Sequence, residues 1–273
     1  MTIEQRAEEF RRLHAGPGAF VMPNPWDVGT ARVLAGLGYK ALATTSGGLA
    51  FVLGRRDGEG AVSRSEALEH SAMIAAATDL PVNGDLENGF GHDPECVAET
   101  IRGAAAAGLV GCSIEDSRSS EGEPIYPLSQ AVERIAAAVE AAAALPFPFM
   151  LTARAENYLH GHGDLDDTIT RLQAFDKAGA HVLYAPGLLA VEDIRTVCTS
   201  VSKPVNVLAL AGSPSVEVLS AAGVRRISLG TGFIRTAQGA FLRAAREVHE
   251  HGTFGGLEGS AVSREINPFM RGA

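Results

Sequence analysis

Short apolar runs rich in Val, Ile, Leu and Phe alternate along this chain with longer stretches in which Ala, Leu, Glu and Arg recur at helical spacing. A brief continuous or period-two apolar run reads as a strand, and an apolar position every three or four residues reads as a helix. The pattern predicts strands over 19–23, 41–45, 82–86, 111–115, 149–153, 181–185, 204–208 and 226–229. It predicts helices over 28–37, 64–78, 94–107, 129–143, 165–178, 191–201, 215–222 and 232–249, and the charged opening segment 1–14 is helix-patterned too. Leu37-Gly38, Ala107-Gly108, Ala178-Gly179 and Ala222-Gly223 each fall between a predicted helix and the next strand. Glycine at that place supplies the left-handed residue that stops a helix. Eight strands alternating with helices are the number that closes a (β/α)8 TIM-type barrel, and a doubly wound open sheet is the competing arrangement. No Pro/Ser/Gly-rich linker divides the chain, so 1–273 is read as a single barrel domain with 242–273 as a C-terminal helical extension.

Composition narrows the function. With 273 residues and 46% hydrophobic content, the chain can bury one large core. A net charge of −9 argues against nucleic acid or an anionic membrane as partner, since both need a basic surface. The charged N-terminus has no apolar signal region, and no later stretch runs far enough without charges or breakers to span a bilayer. Cys96, Cys112 and Cys198 are too scattered for a disulfide framework or a CxxC metal site, and they read as reduced thiols of a cytoplasmic protein.

In a parallel barrel the active face is built from strand C-termini and the loops after them. Here those positions are acidic and glycine-rich: Thr44-Thr45-Ser46-Gly47-Gly48, Gly84-Asp85-Leu86-Glu87-Asn88-Gly89-Phe90-Gly91, Ile114-Glu115-Asp116 and Thr152-Ala153-Arg154. Asp85 and Glu87, two apart, are expected on one face of an extended strand, with Glu115 converging from its neighbour. Like charges brought together call for a cation, and oxygen-only ligands suit a hard one such as Mg²⁺, with Mn²⁺ as the alternative ion. The structural alternative is that these acids cap helices or pair with arginines. Ser46-Gly47-Gly48 reads as a backbone cradle for a carboxylate or as a plain turn. Arg154 is suited to grip a carboxylate or oxyanion, or to pair with Glu115 or Glu156. The only lysines, Lys40, Lys177 and Lys203, fall away from strand C-termini, which disfavours Schiff-base chemistry. His160-Gly161-His162 reads as solvated surface, Cys112 as core, Gly230-Thr231-Gly232 as a phosphate-type turn or an ordinary one, and 117–126 as a mobile lid.

Together these motifs resemble the isocitrate lyase/phosphoenolpyruvate mutase superfamily over about residues 20–241. Asn24-Pro25-Trp26-Asp27 resembles its opening segment, Thr45-Ser46-Gly47-Gly48 its carboxylate loop, and Asp85 to Gly91 its metal motif with Glu87 in place of the second aspartate. The resemblance implies a Mg²⁺-dependent barrel, a homo-oligomer (tetramer or dimer) with an exchanged C-terminal helix, and a small 2-oxo acid as partner. It implies that Asp85 ligates Mg²⁺ while Asp57, Glu87 and Glu115 hold its waters. Ser46, Gly47 and Gly48 would take the substrate carboxylate, Arg154 would support the reacting group, and Asn206 would line the pocket.

The departures shape the expected activity. The K-K-C-G-H lid of the isocitrate and methylisocitrate lyases is replaced by Ser117-Arg118-Ser119-Ser120-Glu121-Gly122, so its general acid is absent, and the phosphonomutase lid lysine is absent too. Pro186 stands where many relatives place a glutamate. The expected function is metal-assisted C–C cleavage, by a lyase or hydrolase route, of an oxaloacetate-like (di)carboxylic acid through a stabilised enolate. Asp57 and a lid residue are the proton-transfer candidates. The alternatives are phosphonopyruvate hydrolase or mutase chemistry, and a 2-oxo-acid-binding protein with weak turnover.

Overall fold

The computed structural model describes residues 1–118 and 124–271. Eight parallel strands form one sheet: β1 (Phe20–Met22), β2 (Leu42–Ala43), β3 (Val82–Asp85), β4 (Gly111–Glu115), β5 (Met150–Arg154), β6 (Val182–Tyr184), β7 (Val205–Leu208) and β8 (Arg226–Ser228). Their order, β1-β8-β7-β6-β5-β4-β3-β2, is that of a (β/α)8 barrel. The seam between β1 and β2 is bridged by Ala43 N–H donating to Pro23 O at 3.0 Å. Asn24 staples the same seam. Its Nδ2 donates to Thr44 O, and its Oδ1 accepts from Leu229 N and Gly230 N, tying the ends of β1, β2 and β8 together.

The helices are α1 (Ile3–Ala15), α2 (Val28–Gly36), α3 (Ser46–Val52), α4 (Arg64–Ala76), α5 (Pro94–Ala106), α6 (Leu128–Ala143), α7 (Leu165–Lys177), α8 (Val191–Ser200), α9 (Val216–Ala221), α10 (Gly232–His251) and α11 (Ser263–Met270). All eight predicted strands and all eight predicted inter-strand helices are present, most bounds shifting by a residue or two. Gly38, Gly108, Gly179 and Gly223 have φ between 84° and 102°, the left-handed stops anticipated from the helix-Gly pairs. One helix was not anticipated. Ser46-Gly47-Gly48, expected as a cradle or a plain turn, opens the helix Ser46–Val52 despite its two adjacent glycines; Thr45 caps it, and Gly47 to Ala50 are buried.

Capped by Thr2, α1 seats Phe10 and His14 beneath the barrel. Phe10 approaches β4 so closely that a Cβ on Gly111 would lie 3.1 Å from its ring and 2.6 Å from Met150 O. At the other end of the chain α11 lies on α2: Phe269 packs over Gly36, and Arg32 donates to the Met270 carbonyl at 3.1 Å. Among the described residues no helix is long and apolar enough to cross a membrane.

Candidate active site

At the C-terminal end of the barrel lies a cavity of about 360 Å³ lined by five carboxylates, those of Asp57, Asp85, Glu87, Glu115 and Glu156. Arg154, the last residue of β5, stands at its centre because strand register sets it beside Glu115 of β4 on one side and Tyr184 of β6 on the other. Its Nη1 meets Asp85 Oδ1 and Glu115 Oε1, each at 2.9 Å, while Nε and Nη2 meet Glu156 Oε1 at 2.9 Å. The Tyr184 ring covers the guanidinium at 4.9 Å. Arg154 is only 11% exposed, and its fork meets protein acids, including the Glu115 and Glu156 anticipated as its structural partners. Glu156, the third acid on the fork, was foreseen only as a structural partner.

Asp85 ends β3 and is held from every side. Ser46 N and Oγ both donate to Oδ2 at 2.9 Å, and Ser113 Oγ donates to Oδ1 at 3.3 Å. Its own N–H donates to Thr44 Oγ1 at 2.8 Å. Glu87 reaches the same cavity by a route other than strand alternation. The strand stops at Asp85, and Glu87 has φ 47°, so a left-handed turn rather than the pleat swings its side chain to the mouth. Glu115 accepts from Ser117 Oγ at 2.9 Å.

The Ser46-Gly47-Gly48 cradle is the first turn of α3, which changes what it can bind. Ser46 N–H is engaged by Asp85 and Gly48 N–H by Thr45 Oγ1, leaving Gly47 the amide best placed for a ligand. Gly47 is also where Asp57 comes in, since a Cβ there would lie 2.4 Å from Asp57 Oδ2 and 2.7 Å from Thr231 Cγ2. Asn206 does line the cavity, but its amide is bound on both sides, donating to Ser228 Oγ at 3.0 Å and accepting from Arg226 Nε at 2.9 Å.

Among the cavity residues that escaped sequence reasoning are His160, read as surface, Tyr184 and Arg226. Arg226 is 1% exposed and bonds neutral partners, Asn206, Thr152 Oγ1 at 2.9 Å and His14 Nε2 at 3.3 Å. His14 Nδ1 faces the Phe10 carbonyl at 2.8 Å, so Nδ1 carries the proton and Nε2 accepts from Arg226. Burial and the neighbouring arginine hold His14 neutral, its pKa lowered to about 3. Cys112 is buried in the core as expected, and Gly230 and Thr231 line the cavity rim. Of the expected lid, 119–123 lie outside the described residues, and its two feet pair through Ser117 and Ile125.

The acids crowd one another. Burial and then the charges of Glu115 and Asp85 raise Glu87 to about 8. Glu115 is raised by burial, with Glu156 and Asp85 adding and Arg154 opposing. Asp57 is raised by burial and the charge of Asp85. Among the described residues no three acid, histidine or cysteine side chains form a ready-made metal cage. A hard divalent cation needs no such cage, because Mg²⁺ characteristically takes one or two carboxylates and completes its shell with water and substrate oxygens. Oxygen-only donors in negative excess fit that ion.

Comparison with known proteins agrees with the architecture. The sequence model of the phosphoenolpyruvate phosphomutase family matches residues 10–249. A solved Burkholderia cenocepacia J2315 protein, provisionally assigned as a lyase/mutase, shares 54% identity over 98% of this chain and 96% of its own, with a TM-score of 0.95. Oxaloacetate acetylhydrolase, solved with its product oxalate, is 25% identical over 98% of this chain and 94% of its own, with a TM-score of 0.87. The oxaloacetate decarboxylase of Bradyrhizobium diazoefficiens is 27% identical, covering 100% of this chain and 98% of that one.

Proposed function

The chain belongs to the phosphoenolpyruvate phosphomutase family, and from that premise we propose that it is a Mg²⁺-dependent carbon–carbon lyase or hydrolase acting on a small 2-oxo acid of the oxaloacetate type. The observation that carries this reading is the ring of five carboxylates around one cavity, three of them already sharing a single arginine. Such an arrangement is expensive unless a further cation joins it. Asp85 would hold Mg²⁺ directly, with Asp57, Glu87 and Glu115 around it. Bound there, the ion would supply Lewis-acid polarisation of a 2-oxo group and offset negative charge developing on that oxygen.

The chain's own residues do the rest. Gly47 N–H would receive the substrate carboxylate, in the first turn of a helix whose dipole favours an anion, while Ser46 N and Oγ stay on Asp85 beside it. Arg154 fixes Asp85, Glu115 and Glu156 in one geometry, so the oxygen donors need not reorganise as charge develops. Asp57 Oδ, raised by burial and by Asp85, can hold and pass a proton beside the Gly47 amide. His160 lines the same cavity and is a second proton carrier.

The test is turnover. With Mg²⁺, NMR of a panel of small 2-oxo and 2-hydroxy diacids should show one of them cleaved, with activity lost on chelation and in Asp85→Asn. Binding of the panel without product would make the protein a 2-oxo-acid-binding module instead.

A further inference from the structure

The β3–α5 loop, 86–93, carries Glu87 into the cavity, and its backbone is unusual. Glu87, Gly89 and Phe90 have φ of 47°, 84° and 59°, three left-handed residues within four, two of them not glycine. Left-handed backbone at a non-glycine residue persists only where its surroundings impose it. The carbonyls of this loop are pinned almost one by one. Glu87 O accepts from Glu115 N at 2.9 Å, and Gly89 O accepts from Thr100 Oγ1 at 2.8 Å. Three more, Asn88 O, Gly91 O and His92 O, all turn inward onto one guanidinium, that of Arg134 on α6, with Gly91 O at 2.7 Å.

Arg134 is 1% exposed, and its partners are carbonyl oxygens and an aromatic ring rather than a carboxylate. That ring belongs to Tyr126, 4.4 Å from the guanidinium carbon, and the Tyr126 hydroxyl meets His92 Nδ1 at 2.7 Å. Tyr126 N–H in turn donates to Asp116 O at 2.8 Å, just past the end of β4. The Arg134 guanidinium thus joins the loop after β3, which supplies Glu87, to the segment that follows Glu115 at the end of β4. A lysine would have to serve all three carbonyls from a single nitrogen, whereas the guanidinium spreads them over Nη1 and Nη2 of a planar fork.

We infer that Arg134 is a positioning residue: by gathering the Asn88, Gly91 and His92 carbonyls it holds the left-handed turn that aims Glu87 at the acid cluster. This rests on the divalent-cation reading above. Positioning makes a demand that simple stapling of α6 to the loop does not, namely that Arg134 and Glu87 act on cation binding as one unit.

The measurement is Mn²⁺ affinity by electron paramagnetic resonance on the full-length protein, alongside thermal unfolding. Arg134→Met should weaken Mn²⁺ binding by about 10- to 100-fold, the usual effect of removing a group that orients a ligand. Arg134→Lys, the variant to use should the Met form not fold, should lose less. Combining either with Glu87→Gln should cost little beyond Glu87→Gln alone. Arg134 variants that melt earlier yet bind Mn²⁺ as the wild type does would overturn the inference, as would losses that simply add. A wild-type protein that takes up no Mn²⁺ would sink the cation reading and this inference with it, an outcome distinct from the other two.

Discussion

Glu87 holds its proton to about 8 because it is partly buried and faces Glu115 and Asp85. In the metal-free protein this has a definite sign. Between the ordinary glutamate range and pH 8 the folded chain keeps a proton that the unfolded chain has lost, so stability contributed by this group falls as pH rises through that window and levels off above it. Thermal unfolding without metal should therefore show wild type losing ground to Glu87→Gln from pH 5 to 8, and added Mg²⁺ should narrow the gap at the upper end. A gap that is constant with pH would contradict the assignment. Arg154 gives the complementary case. Arg154→Met strands Asp85, Glu115 and Glu156 without their shared cation, and removing one partner of a buried ion cluster costs about 3–5 kcal/mol. Urea unfolding measures that loss, and Mg²⁺ should restore part of it.

At the scale of elements, α3 shows how tertiary context converts a turn into a helix start. Alanine is a better helix former than glycine by about 1 kcal/mol, so Gly47→Ala by propensity alone should leave folding stability unchanged or raised. A Cβ at that position meets Asp57 Oδ2 at 2.4 Å and Thr231 Cγ2 at 2.7 Å, however, so both side chains must move. The expected outcome is a melting temperature only slightly lowered, the helix gain offsetting part of the clash, with activity down by about tenfold or more, the scale of misplacing a proton-transfer group. Equal loss of both would mean that the glycine serves packing alone. The strands and outer helices were legible in the sequence because apolar periodicity and the helix-stopping glycines are local signals. Asp85, Glu115 and Arg154 were legible as a group because they end neighbouring strands. What the sequence could not disclose is non-local: the turn at Glu87, the three acids sharing Arg154, and the buried guanidinium of Arg226 bound to His14, 212 positions away. Arg134 was hidden for the same reason, as its carbonyl partners lie 42 to 46 positions earlier.

Across the whole molecule, the barrel is closed below by α1 and clasped on its flank by α11, which docks through Phe269 on Gly36. A Cβ at Gly36 would lie 2.4 Å from the Phe269 ring, so Gly36→Ala should release α11. Hydrogen exchange should then become fast over 263–270 while β3 to β5 stay protected; unchanged protection of 263–270 would refute the docking. The whole architecture converges on the acids at the barrel mouth, and the most direct test of their role is calorimetric titration of the protein with Mg²⁺ in the presence and absence of oxalate. Saturable Mg²⁺ uptake with proton release, oxalate binding that requires the ion, and loss of both in Asp85→Ala are the predicted results. Oxalate binding that ignores Mg²⁺, or no uptake of the ion at any pH between 6 and 8, would contradict the account.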